Sequence, residues 1–189
     1  MQIRQAQPQD SAQIAPLIAM IYRDMEMPVL QNVSESALIS MLTTLYAMPE
    51  NLNGIAQTLV ADEENQVLGV AFGHPAENEV AVNQILKRVS AKHEGFSAPL
   101  ELGGESRPGE WYLSMLAVAP QAQGQGIGSH LLKALPQFVE SFGKAKISLN
   151  VDDGNPGAAK LYRRQGFKAD GRLMIGIHPY QHMGLSLQE

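Results

Sequence analysis

The sequence predicts an α/β protein, and three observations carry that prediction. Stretches with apolar residues at helical spacing are interleaved with short runs whose apolar residues alternate or stand unbroken, the pattern of helices packed on a sheet. Two such short runs, at 58–61 and 67–72, flank the polar turn Asp62-Glu-Glu-Asn-Gln and read as a β-hairpin. At 113–132 an apolar run (Leu113, Met115, Leu116, Val118) stops at Pro120, glycines stand at 124, 126 and 128, and an amphipathic helix begins without delay.

In chain order, residues 2–6 read as a first strand. Asp10 or Ser11 can cap a helix with Ile14, Leu17, Ile18 and Ile21 on one face. A second helix is expected from Ser34, its N-cap, to Met48, with Leu38, Met41, Leu42 and Leu45 inward and Pro49 as its stop. After the hairpin, 80–89 has helical spacing (Val82, Ile85, Leu86, Val89), whereas 95–109 is rich in Gly, Pro and Ser and reads as loop. So long a connection, 73–110, is either a lid or substrate loop or a surface excursion. Residues 111–118 form the next strand. The following helix carries Ile127, Leu131, Leu132, Leu135, Phe138, Val139 and Phe142 at 3.6-residue spacing, with Pro136 expected to kink or end it and Gly143 to close it. Residues 146–151 alternate as a strand. Asn155-Pro156 opens a helix as N-cap and first position, and Gly166 ends it. Phe167 onward and 181–187 are strand-like. No linker or repeat divides the chain, so 1–189 is expected to be a single domain.

Composition narrows the function classes. The chain has no cysteine, which removes disulfides, thiolate metal sites and a cysteine nucleophile. Its five histidines show no ligand spacing, so no metal is expected. A formal net charge of −5, without clustered Lys and Arg, disfavours nucleic acid and mildly favours cationic substrates. The N-terminal decapeptide has no apolar signal core, and no apolar run reaches membrane-spanning length, so a cytoplasmic protein with no membrane partner is expected.

A strand, a glycine loop and a helix in that order expose main-chain N–H groups at a helix N-terminus, a site for phosphate or pyrophosphate. A nucleotide P-loop is excluded because no lysine follows the glycines until Lys133. A dinucleotide fingerprint is excluded because the third glycine position falls on Ser129 or Leu131. The loop instead reads Gln-x-x-Gly-x-Gly over 123–128. Downstream, Asn155, Ala158, Tyr162, Gly166 and Phe167 fit Asn-x-x-Ala-x-x-x-Tyr-x-x-x-Gly-Phe.

Together these motifs resemble the GCN5-related N-acetyltransferase (GNAT) superfamily, most specifically over 111–168. The resemblance implies a mixed, mostly antiparallel twisted sheet flanked by helices, with splayed parallel central strands. It also implies acetyl-CoA as cosubstrate. Amides of Gln123, Gly124, Gln125, Gly126, Ile127, Gly128 and Ser129, with the helix dipole, would hold its pyrophosphate. Leu116, Ala117 and Val118 would pair with the pantetheine arm, and the amide near Leu116 would face the thioester oxygen. Asn155 would lie near that arm while also capping its helix.

Acetyl transfer to an amine needs an amine free of its extra proton, an oxyanion donor, and a proton for the departing thiolate. By resemblance Tyr162 supplies that proton; packing of its ring against the sheet is the structural alternative. Glu110, at the start of the strand, is the leading general base, with Ser114, Tyr112, His74, Glu101 and Glu105 as rivals and a solvated strand-end charge as the bland reading. Arg163 and Arg164 are either near the 3′-phosphate or simply solvated, and His130 is expected at the surface. The expected activity is direct transfer, in a ternary complex, to a primary amine on a small molecule, peptide or protein. A non-catalytic acyl-CoA-binding sensor or regulatory module is the alternative. Dimers are common in such families, which admits a homodimer.

Overall fold

A computed structural model describes residues 1–187. In chain order its elements are strand β1 (Gln2–Gln5), helices α1 (Ser11–Asp24), α2 (Glu35–Tyr46) and the one-turn α3 (Pro49–Leu52), strands β2 (Gln57–Glu63) and β3 (Gln66–Pro75), helix α4 (Glu79–Ala91), strand β4 (Trp111–Val118), helix α5 (Ile127–Glu140), strand β5 (Lys146–Asp152), helix α6 (Pro156–Arg164), and strands β6 (Lys168–Ile175) and β7 (His178–Ser186). The strands form one sheet in the order β1-β2-β3-β4-β5-β7-β6. Every neighbouring pair is antiparallel except β4–β5. The expected mixed, mostly antiparallel sheet is therefore present.

Pleating assigns the helices to faces. On β3, a side chain at Gly69 would meet Ile127 and Leu131 of α5. Phe72, an odd number of residues away, turns its ring edge-on to Tyr46 of α2 at 5.3 Å. Thus α5 covers one face, and α1 and α2, which pack on each other, cover the other. The hydrophobic core lies on both sides, with Ile14, Ile18, Leu38 and Leu42 on one and Leu131, Leu132 and Leu135 on the other, all almost fully buried. No helix among the described residues is long and apolar enough to cross a membrane.

Local chemistry explains most element ends. Ser34 Oγ accepts from the Ala37 amide, and Asn155 Oδ1 from the Ala158 amide, the two expected N-caps. Glu64 and Asn65 both take positive φ (52° and 67°), which matches the twist of the β2–β3 strands. Some expectations need correction. Pro136 neither ends nor breaks α5, which continues to Glu140; Leu135 and Val139 on either side of it are buried, and their packing outweighs the one lost hydrogen bond. Pro49 follows the end of α2 but also opens α3, as a first-turn proline can. The final strand begins at His178 rather than 181.

The β4–β5 contact positions the site. Only Trp111 with Ile147 and Tyr112 with Ser148 are paired; beyond Tyr112 the two parallel strands part. A bulge falls at the same place: Phe72 pairs with Met115 and Gly73 with Leu113, leaving Ser114 as the extra residue of β4. Bulges bend a strand and re-aim its side chains. Gly73 is required opposite, since a Cβ there would collide with the Trp111 ring and the Tyr112 carbonyl.

Candidate active site

The turn between β4 and α5 is open. Gly124 and Gly126 have φ of 76° and 84°, conformations that side chains rarely adopt. Among the described residues, the amides of Gly124, Gln125, Gly126, Ile127, Gly128 and Ser129 have no hydrogen-bond partner, and the next, His130, returns to Gly126 O at 3.1 Å. The Gln123 amide is used by Pro120 O at 3.3 Å, so the unpaired row starts one residue later than expected. These donors converge at the N-terminus of α5, where an anion is favoured. A Cβ at Gly128 would stand 3.2 Å from Leu161 Cδ2, so this glycine lets α5 approach α6. His130 is exposed, and its ring lies 2.9 Å from Gly126 O. Arg163 and Arg164 are exposed on α6, and Arg163 Nη2 donates to Gln181 at 3.0 Å.

Where β4 and β5 part, a groove of about 510 Å³ opens. Ser114 and Leu116 of β4, Asn150 and Asp152 of β5, Asn155 and Tyr162 of α6, and Tyr180 of β7 all line it. The chain at the C-terminal end of α1 (Arg23 to Glu26) and Glu105 from the long connection complete it. Tyr162 turns its ring edge-on to Phe167 at 6.0 Å, and burial pushes its phenol up to about 12, so the proton is retained at neutral pH. Of the predicted residues, the structure thus brings Leu116, Asn155 and Tyr162 into one groove.

Glu110 is elsewhere. It does not line the groove. It sits just before β4, where β4 and β5 are still paired, and its carboxylate lies 2.7 Å from Lys146 Nζ and 3.2 Å from His182 Nε2. His182 in turn reaches Asp170 at 2.5 Å through Nδ1, and Lys146 reaches Asp170 at 2.5 Å. Burial works against the Glu110 charge, but the hydrogen bond from Lys146 and the nearby Ser148 hydroxyl and His182 outweigh it and hold this carboxyl below its ordinary range. Glu110, Asp170 and His182 form a donor set that a divalent cation could use. Lys146 already supplies a positive charge to both carboxylates there, which weakens the fit to a metal.

Among the rivals, Glu105 has the informative environment. It is buried, and burial, ahead of any neighbour, pushes its carboxyl up to about 7. Tyr112 Oη donates to its Oε2 at 2.7 Å, and its Oε1 has no partner. Its main chain is strapped on both sides: the Glu105 amide donates to Glu79 Oε1 at 2.7 Å, and Asn150 Nδ2 donates to Glu105 O at 3.0 Å. Glu105, Tyr112 and Ser114 also line a small inner cavity of about 20 Å³ with His74 and Glu79, room for about one water. His74 lines only this inner cavity; its Nδ1 donates to Pro75 O, and burial lowers its pKa. Glu101 is exposed and paired with Lys87 at 2.6 Å. The position of Glu105 was hidden because 95–109 has no periodicity; the only signal was that it is one of two glutamates, with Glu101, in a glycine-rich loop.

Comparison with known proteins fits this geometry. The model of the acetyltransferase (GNAT) family matches residues 25–167. One solved structure, described as an acetyltransferase, is 38% identical, covers 100% of both chains and has a TM-score of 0.84. An N-acetyltransferase from Staphylococcus aureus Mu50 is 27% identical, with 98% of this chain and 100% of that one covered and a TM-score of 0.80. Among curated proteins, a spermine/spermidine N(1)-acetyltransferase of Bacillus subtilis strain 168 is 34% identical over 74 residues, 39% of this chain and 49% of that protein. A mycothiol acetyltransferase of Arthrobacter sp. strain FB24 is 37% identical over 75 residues, 39% of this chain and only 23% of that protein. The chain therefore spans half or less of these two relatives. With the family model covering most of its length, the chain belongs to the acetyltransferase (GNAT) family.

Proposed function

We propose that residues 1–189 act as a single catalytic domain that moves the acetyl group of acetyl-CoA directly to a primary amine, both substrates being bound together. The observation that carries this reading is the parting of β4 from β5, which opens a groove lined by Tyr162 and Glu105, while the turn with the unpaired amides follows directly on the same strand β4. The pyrophosphate would rest on the amides of 124–129, and the pantetheine arm would run along Leu116 to Val118, where β4 has no neighbour on its β5 side. Asn155 would meet that arm while capping α6.

Glu105, rather than Glu110, is assigned as general base. A carboxyl raised to about 7 can take a proton from an ammonium near neutral pH, directly or through a water in the inner cavity. The free amine then attacks the thioester carbon, and the oxyanion is held by the main-chain amide near Leu116, a contribution of about 3 kcal/mol in comparable sites. As the carbon–sulfur bond breaks, the thiolate takes the Tyr162 proton, and the proton shed by the adduct's nitrogen as it becomes an amide returns through water to the tyrosinate. Glu110 is occupied by Lys146 and His182 and holds strands together instead.

The test is a thiol-release assay with acetyl-CoA over monoamines, polyamines, aminoglycosides, amino acids and peptides. Free coenzyme A thiol in stoichiometric step with an acetylated amine is expected. Coenzyme binding without thiol release from any amine would favour the sensor alternative.

A further inference from the structure

The acceptor end of the groove is negatively charged beyond what deprotonation requires. Asp24, Glu26, Glu105 and Asp152 line it, and Arg23 is the one guanidinium among the lining residues. Arg23 is already spent: Nε meets Glu35 at 3.0 Å, and the two other nitrogens meet Leu30 O at 2.9 Å and Val33 O at 2.8 Å. No lysine lines the groove. Two of the carboxylates come from opposite walls and are joined by one side chain. His178, at the start of β7, donates from Nε2 to Glu26 Oε2 at 3.1 Å, and its Nδ1 stands 3.7 Å from Asp152 Oδ2. Further in is Glu105, nine-tenths buried, with Oε1 lacking any partner. Tyr180 also lines the groove, and its phenol is pushed up to about 12, first by burial and then by Asp152, Glu105 and Asp24. The carboxylates thus bear on one region of the groove.

Resting on the acetyltransferase reading, we infer that the acceptor is a diamine or longer polyamine with two ammonium groups: one is acetylated beside Glu105, and the other binds between Glu26 and Asp152, in the position the His178 imidazole now bridges. Asp152, whose side chain is only a quarter exposed, rewards a cation more than a fully exposed carboxylate does, because solvent screens it less, and the exposed Glu26 adds a weaker attraction. A monoamine of the same length reaches the reacting position but leaves that pair to His178. The charge pattern also steers cations toward the opening, an effect that weakens with salt.

Steady-state thiol release is compared for propylamine, 1,3-diaminopropane, putrescine, cadaverine and spermidine, alongside calorimetric titration of spermidine into the protein saturated with coenzyme A. Expected are kcat/KM values at least tenfold higher for the preferred diamine or spermidine than for propylamine, with the advantage shrinking as salt rises. Asp152→Asn keeps the acceptor for the Gly154 amide. It and Glu26→Gln should each raise the spermidine KM about five- to tenfold with kcat kept, and weaken spermidine binding equally, while the propylamine KM moves less than twofold. Equal efficiency for propylamine and the diamines, or a parallel loss for both acceptors in the variants, overturns the subsite and leaves acetyl transfer standing. Spermidine binding that Asp152→Asn weakens, with no thiol released from any amine, overturns acetyl transfer and leaves the cation site.

Discussion

At the start of β4, Trp111 and Tyr112 are paired with β5, and Glu110, Lys146, Asp170 and His182 tie that end together across four strands. Past the bulge at Ser114 the same two strands have no ladder bonds, and the space between them is the groove. Both ends contain a buried glutamate. At the closed end Glu110 is satisfied by Lys146 and His182 and held below its ordinary pKa. At the open end Glu105 has a neutral donor, an unpartnered oxygen and a pKa pushed up to about 7. The difference lies in what surrounds each carboxylate. A carboxylate with its charges matched is stable and chemically quiet, whereas one with its solvation removed and not replaced is poised to accept a proton.

The largest effect is expected at the coenzyme turn of the open end. Gly126→Val puts a β-branched residue at φ 84° and blocks close approach to the amides. Acetyl-CoA affinity should fall by about 100-fold or more, roughly 3 kcal/mol, read by calorimetry with the thermal melt as a check on folding. Unchanged affinity would remove the turn from the coenzyme site.

Glu105→Gln should lower kcat by about 100-fold. In the unaltered enzyme the rate should climb as pH rises through about 7, the base form of Glu105 being the active one, and this limb should vanish in the variant. Stability gives a second reading. A carboxyl raised on folding stabilises the protein at pH below its ordinary value, and that contribution is lost as pH rises toward about 7. Glu105→Gln should abolish this decline.

Glu110→Gln should do the reverse: cost about 2 kcal/mol of stability in denaturant unfolding, and leave the pH profile of the rate as it was. Its carboxyl is lowered on folding, so its contribution is present above the ordinary carboxylate range and lost as pH falls through it. A shifted rate profile in this variant would return the base role to Glu110. The smallest effect is expected from Tyr162→Phe, about a tenfold lower kcat, or ~1.4 kcal/mol, with acetyl-CoA affinity nearly unchanged in the same titration.

The sequence made the open end only half legible, and physical range explains which half. The glycine turn and the Asn155 cap depend on neighbours within a few residues, so their spacing betrays them, whereas the role of Tyr162 came from the family resemblance. The β4–β5 topology followed from the family resemblance. Glu105 depends on Tyr112, Glu79 and Asn150, which lie 7, 26 and 45 residues away in a segment without periodicity. Glu110 was read as a base because its partners, Lys146 and His182, lie 36 and 72 residues downstream. Pro136 was expected to kink or end α5; the helix does not end there, and the packing that carries it past the proline is not a local property.

The strapping of Glu105 has a practical corollary. The residue assigned to take the amine's proton rides on a connector that is not part of any strand; its own main chain is fastened to Glu79 and Asn150, and the connector is further tied down by the Leu100 amide on Ser90 and by the buried Leu100 side chain. Changing the length of this connector around Glu105, with those ties kept, would move the proton acceptor relative to the coenzyme and retune which amines react, with the sheet left as it is.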